Sequence, residues 1–503
     1  MKNFFCLLLG LVISGLILAM PGSIFISWEI QATAAVTTLM IIWWITEAIP
    51  IPATALVPLV GFPLLGVLTP AEASAPYADK TIFLFLGGFI IAAAMQKWNL
   101  HRRIALNIIL LTGTSPKQII LGFMLATAFI SLWISNTATA MMMIPIAIAI
   151  IGTIGVDAFR ETSGEEGGLD FAKALVISIA YAASIGGLGT IIGSPPNGIF
   201  LAQLKTLFPD APTIGFVDWM IFGIPLVAIF IPLTWIWLVY GPFRHLPEKL
   251  PHSREIIHEE LKKLGRITPG ERWTLIVFVM TALMWIFSAT KKIGDITIPG
   301  LDILFPGIDD STIAMFGAIL LFLLPVSIRN RQYTMDWESV LKIPWGILLL
   351  FGGGICLSKG FIKSGLADEL VKHLTGLSIL DVLFIILLVA ILVSLLTEVT
   401  SNTAIASVMM PILAVTSVSL MINPVILMLT AALTASLAFM LPVATPPNAV
   451  AYGTGYLAMK DLMRTGFILN MIGVLLVTLF MYTIVLWALG ISFELPAWAV
   501  APK

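Results

Sequence analysis

The sequence has 503 residues, 59% of them hydrophobic and only 11% charged, where an ordinary globular domain carries about 25% charged residues. Apolar runs of about 20 residues recur along the whole length, each long enough to cross a bilayer as a helix, which excludes a soluble domain. The absence of an alternating strand pattern excludes a β-barrel, and the net charge of −1 carries no information about partners.

The pattern predicts an all-α polytopic membrane protein with eleven transmembrane segments, two of them broken, plus two hairpins that do not cross. Residues 5–27 follow Lys2 as a long apolar run, with Trp28-Glu29 where a signal peptide would need small residues, so they read as a retained first span. Further spans are expected near 31–49, 53–68 and 81–97, then an amphipathic piece near 101–113. Residues 118–151 are apolar around a central Ser135-Asn136-Thr137, which suits a re-entrant hairpin with the triplet at its tip. Residues 171–207 are too long for one helix and are interrupted by GLGTIIGSPPNG (187–198), so they form a broken span. A span at 216–242 leads to the one long polar linker, 244–272. Spans then resume near 273–290, 311–326 and 344–358. A second hairpin covers 379–422 with Ser401-Asn402-Thr403 at its tip. A second broken span covers 424–456, interrupted at LPVATPPNA (441–449). The last span is 465–492. With the N-terminus inside, most Lys and Arg fall on the cytoplasmic side, seven of them in the linker, as the positive-inside rule requires. The C-terminus is then outside.

Three landmarks recur between the halves. Gly87-Gly88 matches Gly352-Gly353, Ser135-Asn136-Thr137 matches Ser401-Asn402-Thr403, and Pro195-Pro196-Asn197 matches Pro446-Pro447-Asn448. The offsets shrink by 15 at the third landmark because the first half carries a polar loop, 156–170, where the second has a short turn. Five spans lie between the hairpins, so the hairpins enter from opposite faces and the repeats are inverted. The expected division is a first helix (1–30), repeat one (31–243), a cytoplasmic linker (244–272) and repeat two (273–503). Inverted repeats with paired interrupted segments are the pattern of secondary transporters, whose site lies between the repeats.

The chemistry of the tips narrows this. Ser and Thr hydroxyls, Asn carbonyls and freed backbone C=O groups are hard oxygen ligands suited to Na⁺. Helix N-termini and Asn or Ser donors suit a carboxylate. No Arg, Lys or His is expected near either tip, so a dianion there needs bound cations as compensation. Cation-coupled uptake of an anion follows. Ser and Thr in apolar helices also bond to the preceding turn or join helices, but the duplicated set with its breaks goes beyond that. Glu47 and Glu398 are intramembrane acids and so functional candidates, with Glu398 read as a brace for the hairpin. Met141-Met142-Met143 and Met409-Met410 are expected to pack the hairpin arms. The five histidines are read as solvated. Cys6 and Cys356 suggest neither a disulfide nor a metal site. With no HExxH and no GxSxG, an enzyme is not expected. A passive channel would give no reason for occluding hairpins.

The stretches WWITEAIPIPATAL (43–56), FLFLGGF (83–89), LWISNTATAMM (132–142), GSPPNG (193–198), TEVTSNTA (397–404) and ATPPNA (444–449) resemble the divalent anion:Na⁺ symporter family over nearly the full length. The resemblance implies a homodimer in the plasma (inner) membrane and an elevator mechanism. It implies di- or tricarboxylate substrates such as succinate, malate or fumarate. It implies one sodium site at Ser131, Ser135, Asn136 and the backbone of Gly193, and another at Thr397, the backbone of Thr400, Asn402 and the backbone of Ala444. The substrate carboxylates would meet Ser135, Asn136 and Thr137 on one side and Ser401, Asn402 and Thr403 on the other, with Thr445 and Pro446 closing the site. Ser194 stands where Thr is common in the family, and its hydroxyl is kept. An exchanger, or a symporter of sulfate or another divalent anion, shares the same motifs.

Overall fold

The computed structural model describes residues 2–21, 27–113, 115–154, 165–247, 253–293, 296–374 and 381–499. Eight helices among these are both long and apolar enough to cross a membrane. They include Trp28–Thr46, Phe216–Tyr240, Trp345–Ser364 and Met459–Tyr482. Among the described residues, strand is confined to two short antiparallel ribbons in loops, Lys291–Ile293 with Ile296–Ile298 and Pro325–Ser327 with Gln332–Tyr333.

Caps and prolines fix where the central helices begin. Ser115 and Gln118 form a reciprocal capping box around Pro116 and open the first hairpin, Pro116–Ser131 and Asn136–Ile154. Asp381 accepts from Leu383 N and opens the second, Val382–Val399 and Asn402–Ser419. Such side chains satisfy amide groups that have no intrahelical partner. The breaks have one shared cause. A residue before proline is pushed out of the helical region, while proline itself fits the first position of a new helix. Ser194 (φ −138°, ψ 135°) and Thr445 (φ −141°, ψ 144°) are accordingly extended. The half-helices Pro195–Leu207 and Pro446–Gly453 start directly after them.

Several expected boundaries shift. The first break ends at Ser194, because Pro195-Pro196-Asn197 already belong to the next helix. The second opens earlier than expected: Pro424–Thr434 ends first, and 435–445 is the irregular stretch. The 53–68 segment is two short helices, Ile51–Thr54 and Val57–Leu64. Four prolines between 50 and 63 each remove a backbone donor. The final apolar run is interrupted at Thr483 (φ −128°, ψ −78°), between Met459–Tyr482 and Ile484–Leu489. The linker is not simply solvated. It carries the helix Ser253–Lys263, tied to Leu100–Thr112 by Arg102–Glu260, while Arg103 meets Glu271 at 2.8 Å. Residues 156–164 of the expected polar loop lie outside the described residues, and the chain is helical again from Glu165.

Two apolar cores result. The larger surrounds the hairpins and broken helices and holds Tyr181, Trp219, Phe230 and Phe439. The smaller joins Trp44, Phe62 and their neighbours to Phe361 on the Trp345–Ser364 helix. Between membrane helices such contacts stabilise through close packing, because lipid is as apolar as the core. The two halves interlock: the half-helix Pro195–Leu207 packs on the second hairpin's arm Asn402–Ser419, and Pro446–Gly453 packs on the first hairpin's arm Asn136–Ile154.

Candidate functional site: two tips against two breaks

Each hairpin tip closes onto the break of its own half. Ser131, the last residue of the first ascending arm, donates to the carbonyl of Ala183 at 2.6 Å. The end of the Asn136 amide lies 2.8 Å from Ser131 Oγ, 2.9 Å from Ala183 O and 3.2 Å from Gly193 O, and its NH₂ satisfies these three oxygens when turned toward them. In the second half, Thr397 Oγ1 lies 2.8 Å from Ala435 O and 2.6 Å from Asn402 Oδ1, so its one proton joins it to either oxygen. The partners recur 266 residues apart at the tips (131 and 397, 136 and 402) and 252 apart at the carbonyls (183 and 435).

The breaks are pinned by a second matched pair. Asn197 Nδ2 donates to Gly187 O (2.9 Å) and Thr190 O (2.8 Å), and Asn448 Nδ2 donates to Ala438 O (3.0 Å) and Leu441 O (3.1 Å). Ser194 Oγ meets Ser436 Oγ at 2.8 Å, so the two breaks touch. The order through the molecule is tip, break, break, tip. The first cage admits no side chain on its backbone. A Cβ on Gly193 would lie 2.7 Å from Gly187 O and 3.0 Å from Ser131 O, and a Cβ on Gly187 would lie 2.5 Å from Asn136 Oδ1.

These donor sets fit a sodium ion. They are neutral hydroxyl, amide and carbonyl oxygens. Among the described residues there is no cluster of three or more His, Cys, Asp or Glu, which a harder-charged metal site would show. Asn197 Oδ1 and Asn448 Oδ1 are buried beside the cages without a hydrogen-bond partner among the described residues, an arrangement that a cation or its water satisfies.

Of the expected sodium ligands, the structure brings together Ser131, Asn136 and Gly193, and separately Thr397 and Asn402. Thr400 turns its hydroxyl to Leu396 O (2.8 Å), leaving its extended backbone toward the tip. Ala444 is buried in the second break. The carbonyls of Ala183 and Ala435 are additional members. Carbonyls at a helix end are open to further partners: Ala435 caps its helix, and Ala183 O, which accepts from Gly187 N at 3.2 Å, has a second lone pair for the cage.

Of the expected substrate residues, Ser135 and Thr137 line a cavity of about 470 Å³. Ser401 is half-buried and makes no side-chain cap bond to the helix it precedes, so the first amides of Asn402–Ser419 face the tip unpaired by it. Asn402 and Thr403 follow in that first turn. Thr445 caps its half-helix by accepting from Asn448 N, beside Pro446. The expectation of no basic residue near a tip is corrected: Lys97 and Lys342 line the same cavity as Ser135 and Thr137. They are distant in sequence, at a helix end and in a loop, and only folding brings them there.

The two intramembrane acids part company. Glu398 is buried and accepts from the amides of Phe439, Met440 and Leu441 (2.7–3.1 Å) and from Asn470 Nδ2 (2.7 Å). It braces the second break rather than the hairpin. Glu47 is exposed and ends its helix in the left-handed conformation (φ 49°). His101 is buried with Nδ1 2.8 Å from Met95 O, contrary to the solvated reading. Met143 and Met410 pack inside, while Met141 opens onto the cavity.

Solved structures with a similar fold are the Alcanivorax borkumensis YdaH transporter (TM-score 0.56, 13% identity, covering 90% of this chain and 98% of that one) and Neisseria gonorrhoeae MtrF (0.57, 11%, 87% and 85%). Among curated proteins, the sodium-dependent dicarboxylate transporter SdcS of Staphylococcus saprophyticus is 43% identical over 471 residues, covering 92% of this chain and 87% of its own. SdcS of Staphylococcus aureus (strain bovine RF122) is 42% identical over 495 residues, covering 97% and 93%. The family model for the sodium:sulfate symporter transmembrane region matches residues 1–490. The chain belongs to the sodium:sulfate symporter family of membrane transporters.

Proposed function

We propose that this protein is a secondary transporter that imports di- or tricarboxylates of the succinate, malate and fumarate type, coupled to sodium. The observation that carries this reading is the duplicated oxygen cage, Ser131–Asn136–Ala183–Gly193 and Thr397–Asn402–Ala435. The relatives named as sodium-dependent dicarboxylate transporters, at 42–43% identity, support the choice of ion and substrate class.

In mechanism, sodium would sit among Ser131, Ser135, Asn136 and the Gly193 backbone in one half and Thr397, Asn402 and the Thr400 and Ala444 backbones in the other. A bound cation favours the Asn136 oxygen facing the cage; without one, the amide NH₂ bridges the same oxygens. Cation binding would thus set the orientation of the Asn136 amide at the tip that carries Ser135, Asn136 and Thr137; the other tip carries Ser401, Asn402 and Thr403. Positive charge in each cage compensates a carboxylate that neutral donors alone would hold poorly. Four helices begin at these tips and breaks. The hairpin arms can donate backbone amides, whereas Pro195-Pro196 and Pro446-Pro447 offer none and contribute only the helix dipole.

The matched bonds support two inverted repeats. An elevator movement of the hairpins and broken helices, a homodimer, and an inner membrane location with the N-terminus cytoplasmic and the C-terminus outside complete the reading. Purified protein in proteoliposomes tests it. Labelled succinate is expected to accumulate with an inward sodium gradient and no internal counter-substrate. Uptake only into vesicles preloaded with dicarboxylate would instead establish an exchanger.

Gly193→Ala is expected to raise the sodium concentration for half-maximal uptake by about tenfold or more, since the added methyl must displace Gly187 O or Ser131 O. Titrating sodium at saturating succinate checks this. Unchanged sodium dependence would remove Gly193 from the cage.

A further inference from the structure

We propose that the cavity in front of the first tip is an encounter site for the dicarboxylate, with Lys342 as its electrostatic anchor; this rests on the transport function proposed above. It is lined by Ser135, Thr137 and Met141 of the first hairpin, by Ser339 of the short helix Trp337–Val340, Lys342 in the loop that follows it and Ile347 of the Trp345–Ser364 helix, and by Lys97. The charged lining residues are two lysines, and the cavity has no carboxylate in its lining. The cavity beside Lys80 and Lys205 differs: Asp79, Asp309 and Asp310 outnumber those two lysines. Of these two cavities, the one in front of the first tip is the basic one.

The two lysines are not equivalent. Lys97 Nζ is held by Asp336 at 2.5 Å and by the Thr334 carbonyl at 3.2 Å, and this neighbour keeps the Asp336 carboxyl below its ordinary range. Its charge is largely answered within the protein. Lys342 is exposed and has no ion pair among the described residues. A mobile ammonium on a flexible stem, in a cavity that ends at hydroxyl donors, can meet one carboxylate while the other reaches the tip. A cleft with low-dielectric walls and one sign of charge raises the local concentration of a counter-ion. Under the orientation proposed above, this opening is cytoplasmic, so Lys342 acts on substrate binding and release at the inner face.

The test uses Lys342→Gln and Lys342→Arg in proteoliposomes sorted by orientation, with labelled succinate offered to each face at constant sodium. The glutamine variant is expected to raise the apparent KM from the cavity face by about fivefold, with little change in KM from the other face. The arginine variant should behave as the original protein. In the original protein, KM from the cavity face should also rise when choline chloride increases ionic strength, because screening shortens the reach of the charge. This salt dependence should flatten in the glutamine variant. Equal KM values for both variants from both faces would overturn the proposal, as would a KM in the original protein that ignores ionic strength. If Asn136→Ala is inactive while Lys342→Gln is unchanged, the encounter site alone fails. If Asn136→Ala transports normally, the underlying site reading fails.

Discussion

Asn136→Ala and Asn402→Ala are each expected to abolish succinate uptake while leaving the protein folded in the membrane. Each asparagine ties its hairpin tip to the oxygens of its break: Asn136 reaches Ser131 Oγ, Ala183 O and Gly193 O, and Asn402 meets Thr397, which itself bonds to Ala435 O. Alanine removes both a cation ligand and the bond that places the tip. The surrounding helices keep their caps and packing, so insertion should survive. The loss should be at least a hundredfold in initial rate, since one misplaced group in an ion- or substrate-positioning cluster commonly costs that much. The two variants should be similar, because the two cages share one construction. Uptake assays with detergent-extracted monodispersity as a fold control check this, and normal uptake by either variant would break the assignment in that half.

Glu398→Leu should produce the largest loss of stability. Its carboxylate receives three consecutive backbone amides and the Asn470 side chain in a buried setting. Leucine leaves these buried donors without an acceptor, and each buried donor left unsatisfied costs about 1–3 kcal/mol. The thermal unfolding midpoint in detergent should fall clearly, whereas Glu398→Gln, which keeps one acceptor oxygen, should fall less. The first half shows why the acid is needed. There the equivalent position is Leu132, and the bond across is made from the break: the Thr190 hydroxyl donates to the Leu132 carbonyl. Position 441, equivalent to 190, is leucine. The two halves thus place their polar brace on opposite partners, and adding Leu441→Thr to Glu398→Leu should recover part of the lost stability. An unaltered midpoint in Glu398→Leu would show that the brace contributes nothing.

Much of this architecture is legible in the sequence because its signals are local. A polar triplet inside an apolar run marks a tip, and a Pro-Pro-Asn marks the restart of a helix. Duplication raises both above chance. The precise edges are less legible. Thr434 ends its helix seven residues before the expected break at Leu441, in the run TAALTASLAFML (430–441), which has no proline and only isolated Thr and Ser among its apolar residues. There the tertiary partners Glu398, Asn448 and Tyr181, whose hydroxyl donates to Phe439 O at 3.0 Å, draw the backbone out of the helix. The same limit explains the lysines. Lys97 and Lys342 are 245 residues apart, and nothing local ties either to Ser135. Buried His101 likewise meets Met95 O, six residues back in the preceding helix, which composition alone does not reveal.

The central claim is that paired oxygen cages make dicarboxylate binding depend on sodium in both halves. The most direct measurement is the initial rate of labelled succinate uptake in proteoliposomes across a sodium series, with choline replacing sodium at fixed ionic strength. The account predicts no uptake without sodium and a sigmoidal rise with a Hill coefficient above one, as two cages fill together. A rate independent of sodium, or a strictly hyperbolic rise, would contradict it.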